Sequence, residues 1–246
     1  MSQHPQSRKL TLSDLSHAFR TGSHKFSQTK LLSITYSALF TFIGFALYTI
    51  LEAGKIAPMS HSLAGGFMLV GPALLAGFFS ISDALDEGRN PGISDIFKGF
   101  RQSPAGLWGI ALLCLFLFFI WLTEAATVYA FVVGTVPVSF IELLPPDSGV
   151  TGFLFFTSLG GALLAFITFV VTAFSVPLMY YSNSSMVTAT VTSTRTVFRN
   201  FFVMMVWALL LVILIMGAAW FLPLLPLTLP LAAYTSLAIY RATFSE

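Results

Sequence analysis

FFVMMVWALLLVILIMGAAWF, residues 201–221, carries no charge, hydroxyl or amide on any side chain, and it runs directly into LPLLPLTLPLAAYTSLAIY, residues 222–240. A bilayer core of about 30 Å is crossed by about 20 apolar residues in a helix. The first string has that length. The two together would form one helix of about 60 Å at 1.5 Å per residue, twice the core. Pro223, Pro226 and Pro230 stand at the join. Proline removes a backbone donor and clashes with the preceding turn. The pair therefore reads as a helical hairpin that enters and leaves a membrane.

Four more apolar runs precede it: Leu31 to Leu51, Leu63 to Ser82, Leu107 to about Gly134, and Phe153 to Tyr181. The expected fold is all-α, a polytopic membrane helix bundle with six transmembrane helices and short amphipathic cytoplasmic helices. The last run is the variable one. A helix starting only at Pro230 would be too short to span, leaving five crossings and a re-entrant segment. Of the 246 residues, 56% are hydrophobic and 9% charged, with a mean hydropathy of +0.85. A soluble domain carries about 25% charged residues. Soluble enzymes, disordered tails and nucleic-acid binders are excluded, and a net charge of +2 gives a polyanion little to hold.

Lysine and arginine mark the cytoplasmic side of membrane proteins. Arg8, Lys9, Arg20, Lys25 and Lys30 precede the first run. Arg89, Lys98 and Arg101 lie between the second and third, Arg195 and Arg199 between the fourth and fifth, and Arg241 follows the sixth. Only Lys55 lies on the other side. Both termini are expected in the cytoplasm. The chain divides into a cytoplasmic segment with an amphipathic helix (1–30), a transmembrane bundle of repeated helical hairpins (31–241) and a cytoplasmic tail (242–246). The polar first thirty residues show no cleavable signal peptide.

Three cytoplasmic stretches look alike: LSDLSHAFR (12–20), ISDIFKGFR (93–101) and VTSTRTVFR (191–199). Each opens on an aliphatic residue and a hydroxyl, closes on Phe-Arg, and precedes an odd-numbered crossing. In the second, Ile93, Ile96, Phe97 and Phe100 share one helical face. Ser94 is the expected cap, and Asp95 suits the positive end of the helix dipole. In the third, Val187, Val191, Thr194, Phe198 and Phe201 align, with Thr188, Thr192, Arg195 and Arg199 opposite. Such helices lie in the headgroup layer with the apolar side down; the alternative is that they pack on the bundle. Phe19, Arg20, Phe100, Arg101, Arg195, Phe198 and Arg199 are the candidate cytoplasmic interface or lipid contacts. Each even-numbered run carries a proline, so Pro72, Pro177 and Pro230 are candidate kinks. Small residues four apart, Ala73 with Gly77, Ser158 with Ala162 and Gly161 with Ala165, mark close helix contacts.

Little chemistry is visible. Glu124 is the one acid inside an apolar run and the candidate intramembrane polar site, for a proton or a cation. It falls about 26 Å along its helix, near the outer interface. Glu52 and Lys55 read as a solvated pair. Cys114 is alone, so no intramolecular disulfide forms. His4, His17, His24 and His61 all lie outside the apolar runs, which excludes a haem with paired histidines and a histidine metal site at bilayer depth. No metal or cofactor is expected. The Ser/Thr-rich stretch 182–196 lacks the glycines of a phosphate loop, and there is no nucleophile elbow or metalloprotease helix.

Three stretches resemble a bacterial family of integral membrane proteins catalogued as domain of unknown function 2189. They are AGGFMLVGP (64–72) running on through Asp86-Glu87-Gly88, FIWL (119–122), and VPLM (176–179) followed by Thr188-Ala189 and Ser193-Thr194-Arg195; Tyr240-Arg241 fits the family's ending. The resemblance implies a multi-pass inner-membrane protein of a Gram-negative bacterium. It brings no activity and no functional residue. The reading is a non-enzymatic interaction, assembly or auxiliary membrane subunit, in contact with the lipid bilayer and with a membrane protein partner or further copies of itself, and not with nucleic acid. The alternative is a small transporter or channel that uses Glu124.

Overall fold

A computed structural model describes residues 7–143, 146, 148–182 and 184–244, with every side chain among them except those of residues 68–70, 72 and 73. His4, Pro145 and Asp147 lie outside the described residues, as does the side chain of Pro72. The fold is all-α. Among the described residues ten α-helices follow one another: α1 (Leu12–Gln28), α2 (Lys30–Ala53), α3 (Ser60–Asp86), α4 (Ile93–Gln102), α5 (Ala105–Val132), α6 (Ser148–Thr172), α7 (Ser175–Ser182), α8 (Met186–Arg199), α9 (Phe201–Trp220) and α10 (Leu225–Thr243). Five described segments are long and apolar enough to cross a membrane: Lys30–Ala53, Ala105–Val132, Ser148–Ser182, Phe201–Trp220 and Leu222–Thr243. The last segment does not wait for Pro230. Its helix starts at Leu225 with a proline in the first turn, where the missing N–H costs nothing, and continues through Pro230.

The three repeated cytoplasmic stretches become α1, α4 and the second half of α8, and each starts with a cap. Thr11 and Asp14 form a reciprocal capping box on α1. Ser185 accepts the Thr188 N–H at the start of α8. On α4 the cap is Gly92, not Ser94: Asp95, three residues in, accepts the Gly92 N–H at 2.8 Å. Asp95 thus serves both the orphan donor and the helix dipole.

All three helices dock on a long helix through small residues. α1 packs on α10, where Gly22 lies so close to Thr235 that a Cβ would meet its backbone nitrogen at 2.7 Å. α4 packs on α3, with Gly99 against the Ala76 carbonyl and Ser80. α8 packs on α6 and α7 through buried Ala189, Thr192, Ser193 and Thr196. The large apolar stripe of α8 turns outward, with Val187, Val191 and Phe198 exposed. The stripe expected on α4 splits: Ile96 and Phe100 pack inward, near Tyr36, while Ile93 and Phe97 stay exposed.

The proline at 177 breaks the fourth run rather than bending it. α6 stops at Thr172, and α7 resumes at Ser175 with Pro177 in its first turn. In a continuous helix the Phe174 N–H would donate to the Val170 carbonyl. Here the Ser193 hydroxyl stands between them, accepting from Phe174 N at 3.1 Å and donating to Val170 O at 2.8 Å. Ser193 is fully buried. α8 therefore mends the ladder that α6 leaves open, a side-chain insertion of the kind that turns helices.

The bundle core has a cytoplasmic cluster including Leu107, Cys114, Phe174, Met204 and Trp207, and a second around Phe78 and Tyr234. The buried Tyr234 hydroxyl bonds Ser33 at 2.7 Å and Thr29 at 3.1 Å, tying α10 to the α1–α2 junction. Replacing Ser193 with alanine leaves the Phe174 N–H and Val170 carbonyl without their partner. An unsatisfied buried group costs about 1–3 kcal/mol. Ser193→Ala should therefore lower the thermal unfolding midpoint of the detergent-solubilised protein, whereas Ser13→Ala, at an exposed site on α1, should leave it unchanged.

Candidate functional site

The end of the bundle that the lysine and arginine distribution assigns to the cytoplasm, its cytoplasmic face, gathers the titratable groups. Lys25 of α1 reaches α3, placing its ammonium 2.6 Å from Ser82 Oγ and 2.6–2.7 Å from both Asp86 carboxylate oxygens. Arg241 of α10 bonds Asp86 with one guanidinium nitrogen and Asp83 with the other, at 3.0 Å for Asp83. Tyr181 of α7 donates to Asp83 at 2.9 Å, stacks on Tyr240, and has the Arg241 guanidinium over its ring at 5.8 Å. α1, α3, α7 and α10 thus meet in one network. Burial pushes the Lys25 ammonium below its usual range, opposed by Asp86. These pairs are 57 to 158 residues apart in sequence, which is why spacing alone did not reveal them. Asp86 and Arg241 are visible in the sequence only as parts of the family-like stretches.

The remaining cytoplasmic acids are also engaged. Asp14 pairs with Arg8, and the Thr11 hydroxyl together with Arg8 lowers its carboxyl to about 2. Glu87 and Asp95 both pair with Arg89. Every described acid on this face is neutralised. Lys9, Arg20, Lys30, Lys98, Arg101, Arg195 and Arg199 are exposed and have no ion-pair partner among the described residues. Next to these cations stand exposed apolar side chains: Leu12 and Phe19 on α1, Ile93 and Phe97 (65% exposed) on α4, and Val187 and Phe198 (54% exposed) on α8. Of the candidate contacts read from the sequence, Phe19, Arg20, Arg101, Arg195, Phe198 and Arg199 lie on this surface. Phe100 does not, because it packs between Tyr36 and Trp108.

Glu124 faces elsewhere. Its carboxylate lies against Gly160 of α6, in a shallow groove between α5 and α6 lined by Thr127, Phe131, Phe156 and Leu163. Phe131, Phe156 and Leu163 are exposed, so the groove is on the outside of the bundle. Two other outer features escape sequence reading. His61, on the first turn of α3, bonds Ser158 of α6 at 2.8 Å. Glu52 pairs with Lys55 as expected and also accepts the Phe140 N–H at 2.9 Å, latching the two outer loops together.

Between these ends, Trp121 of α5 is clamped by glycines from two neighbours. A Cβ on Gly65 of α3 or on Gly161 of α6 would overlap its ring, and a Cβ on Gly66 would overlap Phe118. The indole N–H donates to the Thr157 carbonyl at 3.2 Å. Glycine here removes bulk so that three helices close around one aromatic ring.

The model of a family described as predicted integral membrane protein, DUF2189, matches residues 59–180. Across that stretch, just under half of the 246 residues, the chain is similar to this family. With five described segments long and apolar enough to cross a membrane, it is a multi-pass integral membrane protein. No curated protein and no solved structure matches it. The DUF2189 match runs from the start of α3 into α7 and holds Gly65, Asp83, Asp86, Trp121 and Gly161. It is narrower than the sequence resemblance, which ran on through Ser193 to Arg241. Lys25 and Arg241, the cations of the network, lie outside it.

Overpacking a tight core costs about 1–3 kcal/mol. Gly65→Ala and Gly161→Ala should each lower the unfolding midpoint and shift the tryptophan emission. Gly217→Ala, where a Cβ meets no described atom within 4 Å, should do neither.

Proposed function

We propose that this protein is a non-enzymatic, six-crossing subunit of a bacterial inner membrane, acting by association through its cytoplasmic face. The observation that carries the reading is the ring of exposed cations and apolar side chains on α1, α4 and α8, left over after every described cytoplasmic acid has found a partner. Basic amphipathic helices of this kind hold anionic headgroups and acidic protein surfaces. The sixth crossing is α3, whose 27 residues reach about 40 Å and include the apolar run 63–82. With it, the charge asymmetry places both termini in the cytoplasm. The transport alternative draws less support, because Glu124 faces the outside of the bundle and no second acid stands beside it in its groove.

Topology is testable with single cysteines in a Cys114→Ala background. Thr135→Cys should react with a membrane-impermeant maleimide in intact cells, and Gln28→Cys only after permeabilisation. The reverse pattern would invert the orientation. Association is testable by mass spectrometry of the protein extracted from its native membrane. Replacing Arg20, Lys98, Arg101, Arg195 and Arg199 with glutamine, or Phe97 and Phe198 with aspartate, should release a stoichiometric protein or anionic lipid that the wild type retains. An unchanged set of companions in both variants would reduce the three helices to connectors.

A further inference from the structure

α2 and α3 are consecutive, yet they hardly touch; α2 packs chiefly on α10. The gap between them is a crevice of about 310 Å³ in the outer half of the bundle, walled by Leu47, Leu63, Ala64 and Leu222. Phe67 and Ile215 also border a second hollow of about 130 Å³, which runs inward between α3, α6, α9 and α10 past Thr168, Trp207 and Leu229. The two hollows share these two side chains and so adjoin end to end. On α10 their walls extend from Leu225 to Ile239, about 21 Å at 1.5 Å per residue. A single leaflet of hydrocarbon is about 15 Å deep. Ile43 and Leu47 line the outer lobe and are themselves exposed, so the crevice opens sideways, between membrane helices, rather than to water.

We infer that this crevice binds one acyl chain of a membrane phospholipid, entering between α2 and α3 and reaching Trp207. The length fits a whole chain, and the walls are almost entirely apolar. At this depth the surrounding solvent is hydrocarbon, so a dry, laterally open path fills with lipid tails and not with water. Two features mark the inner lobe. Gly71 presents open space, with no described atom within 4 Å of a Cβ placed on it. Thr168 is 3% exposed and turns its side chain to this lobe, presenting its methyl group beside Phe169 and Ala165 to an apolar occupant. The neighbouring Thr172 bonds back to the Thr168 carbonyl at 2.7 Å. This site is separate from the cytoplasmic ring and rests only on the chain lying in a membrane.

Trp207 is 2% exposed and serves as the reporter. The full-length protein is reconstituted in vesicles of phosphatidylcholine carrying bromine along its acyl chains, and its fluorescence is compared with that in unbrominated vesicles. Subtracting the signal of Trp207→Phe isolates this residue from the other three tryptophans. The Trp207 component is expected to lose most of its intensity to the brominated chains. Gly71→Phe, which projects a ring into the inner lobe, is expected to restore it. Val176 and Leu229 show that a larger residue is accommodated before a helical proline in this chain. An unquenched Trp207 overturns the proposal, as does equal quenching in wild type and Gly71→Phe. Should Gly71→Phe fail to fold, native mass spectrometry of the variant with the five ring cations replaced by glutamine, reconstituted in phosphatidylcholine, decides: one phosphatidylcholine retained per chain after delipidation supports the site, and none overturns it. Neither result depends on whether the glutamine variants of the cytoplasmic ring lose their companions.

Discussion

The Ser193 hydroxyl stands where a helical hydrogen bond between Phe174 and Val170 would be, and much of the cytoplasmic half is arranged around that substitution. In hydrocarbon, a freed backbone group has no water to turn to, so a break in a crossing helix survives only where protein satisfies it. Pro177 makes the break tolerable by sitting in the first turn after it, where no N–H is required. The consequence is geometric. Once α7 is redirected, Tyr181 reaches Asp83, and Tyr180 and Tyr181 both pack on Phe79 of α3. α8, seated by Ser193, presents its large apolar stripe to the surroundings, because its small residues are turned to the bundle.

The same solution recurs in a cyclic order. α4 follows α3 and packs on it, and α8 follows α6 and α7 and packs on them. α1, the first of the described helices, packs on α10. Residues beyond α1 complete the closure: the Arg8 N–H donates to the Thr243 carbonyl at 3.1 Å, and the Leu10 N–H to the Asn200 side chain at 2.7 Å. A chain read as three units of amphipathic helix, crossing and crossing is therefore closed in a ring by its own two ends. Docking through glycine, alanine and serine leaves Leu12 and Phe19 of α1, Ile93 and Phe97 of α4, and Val187 and Phe198 of α8 exposed. That division explains how one short helix can be both packed and exposed in its largest residues.

The crossings were legible because their signal is length against a fixed bilayer thickness, a property of each run taken alone. The cytoplasmic helices were legible as helices for the same reason, through their period. Which face each would bury was not, because small residues carry little hydropathy and still determine packing. Phe100 and Phe97 look equivalent in the sequence and end on opposite sides of that choice. Asp95 was read correctly as favouring the helix start, but its partner is the Gly92 N–H, two residues before the expected cap. Ser193 lay inside a stretch weighed for phosphate binding, and its hydroxyl serves the backbone instead. Gly65, Gly66 and Trp121 were visible as family-like motifs. Their contact with one another crosses three helices, and no local pattern predicts it.

Electrostatics and packing together determine where this molecule can be approached. The cytoplasmic ends of α3, α7 and α10 are tied to α1 by Lys25, Asp83, Asp86 and Arg241. The outer loops are tied by the Glu52–Phe140 bond, and by backbone pairing of Lys55 and Ala57 with Val138. The left-handed φ of 54° at Lys55 turns the chain into that pairing. With both ends bound across, the crevice between α2 and α3 opens sideways, and exposed cations and apolar side chains on α1, α4 and α8 stand at the end that holds the Lys25 network. A soluble substrate meets neither of them. Membrane lipids, and proteins already held at the membrane, meet both. Under the proposed reading, the abundance of phenylalanine follows from the same constraint, because the surfaces left available are those that a bilayer, rather than water, presents to a partner.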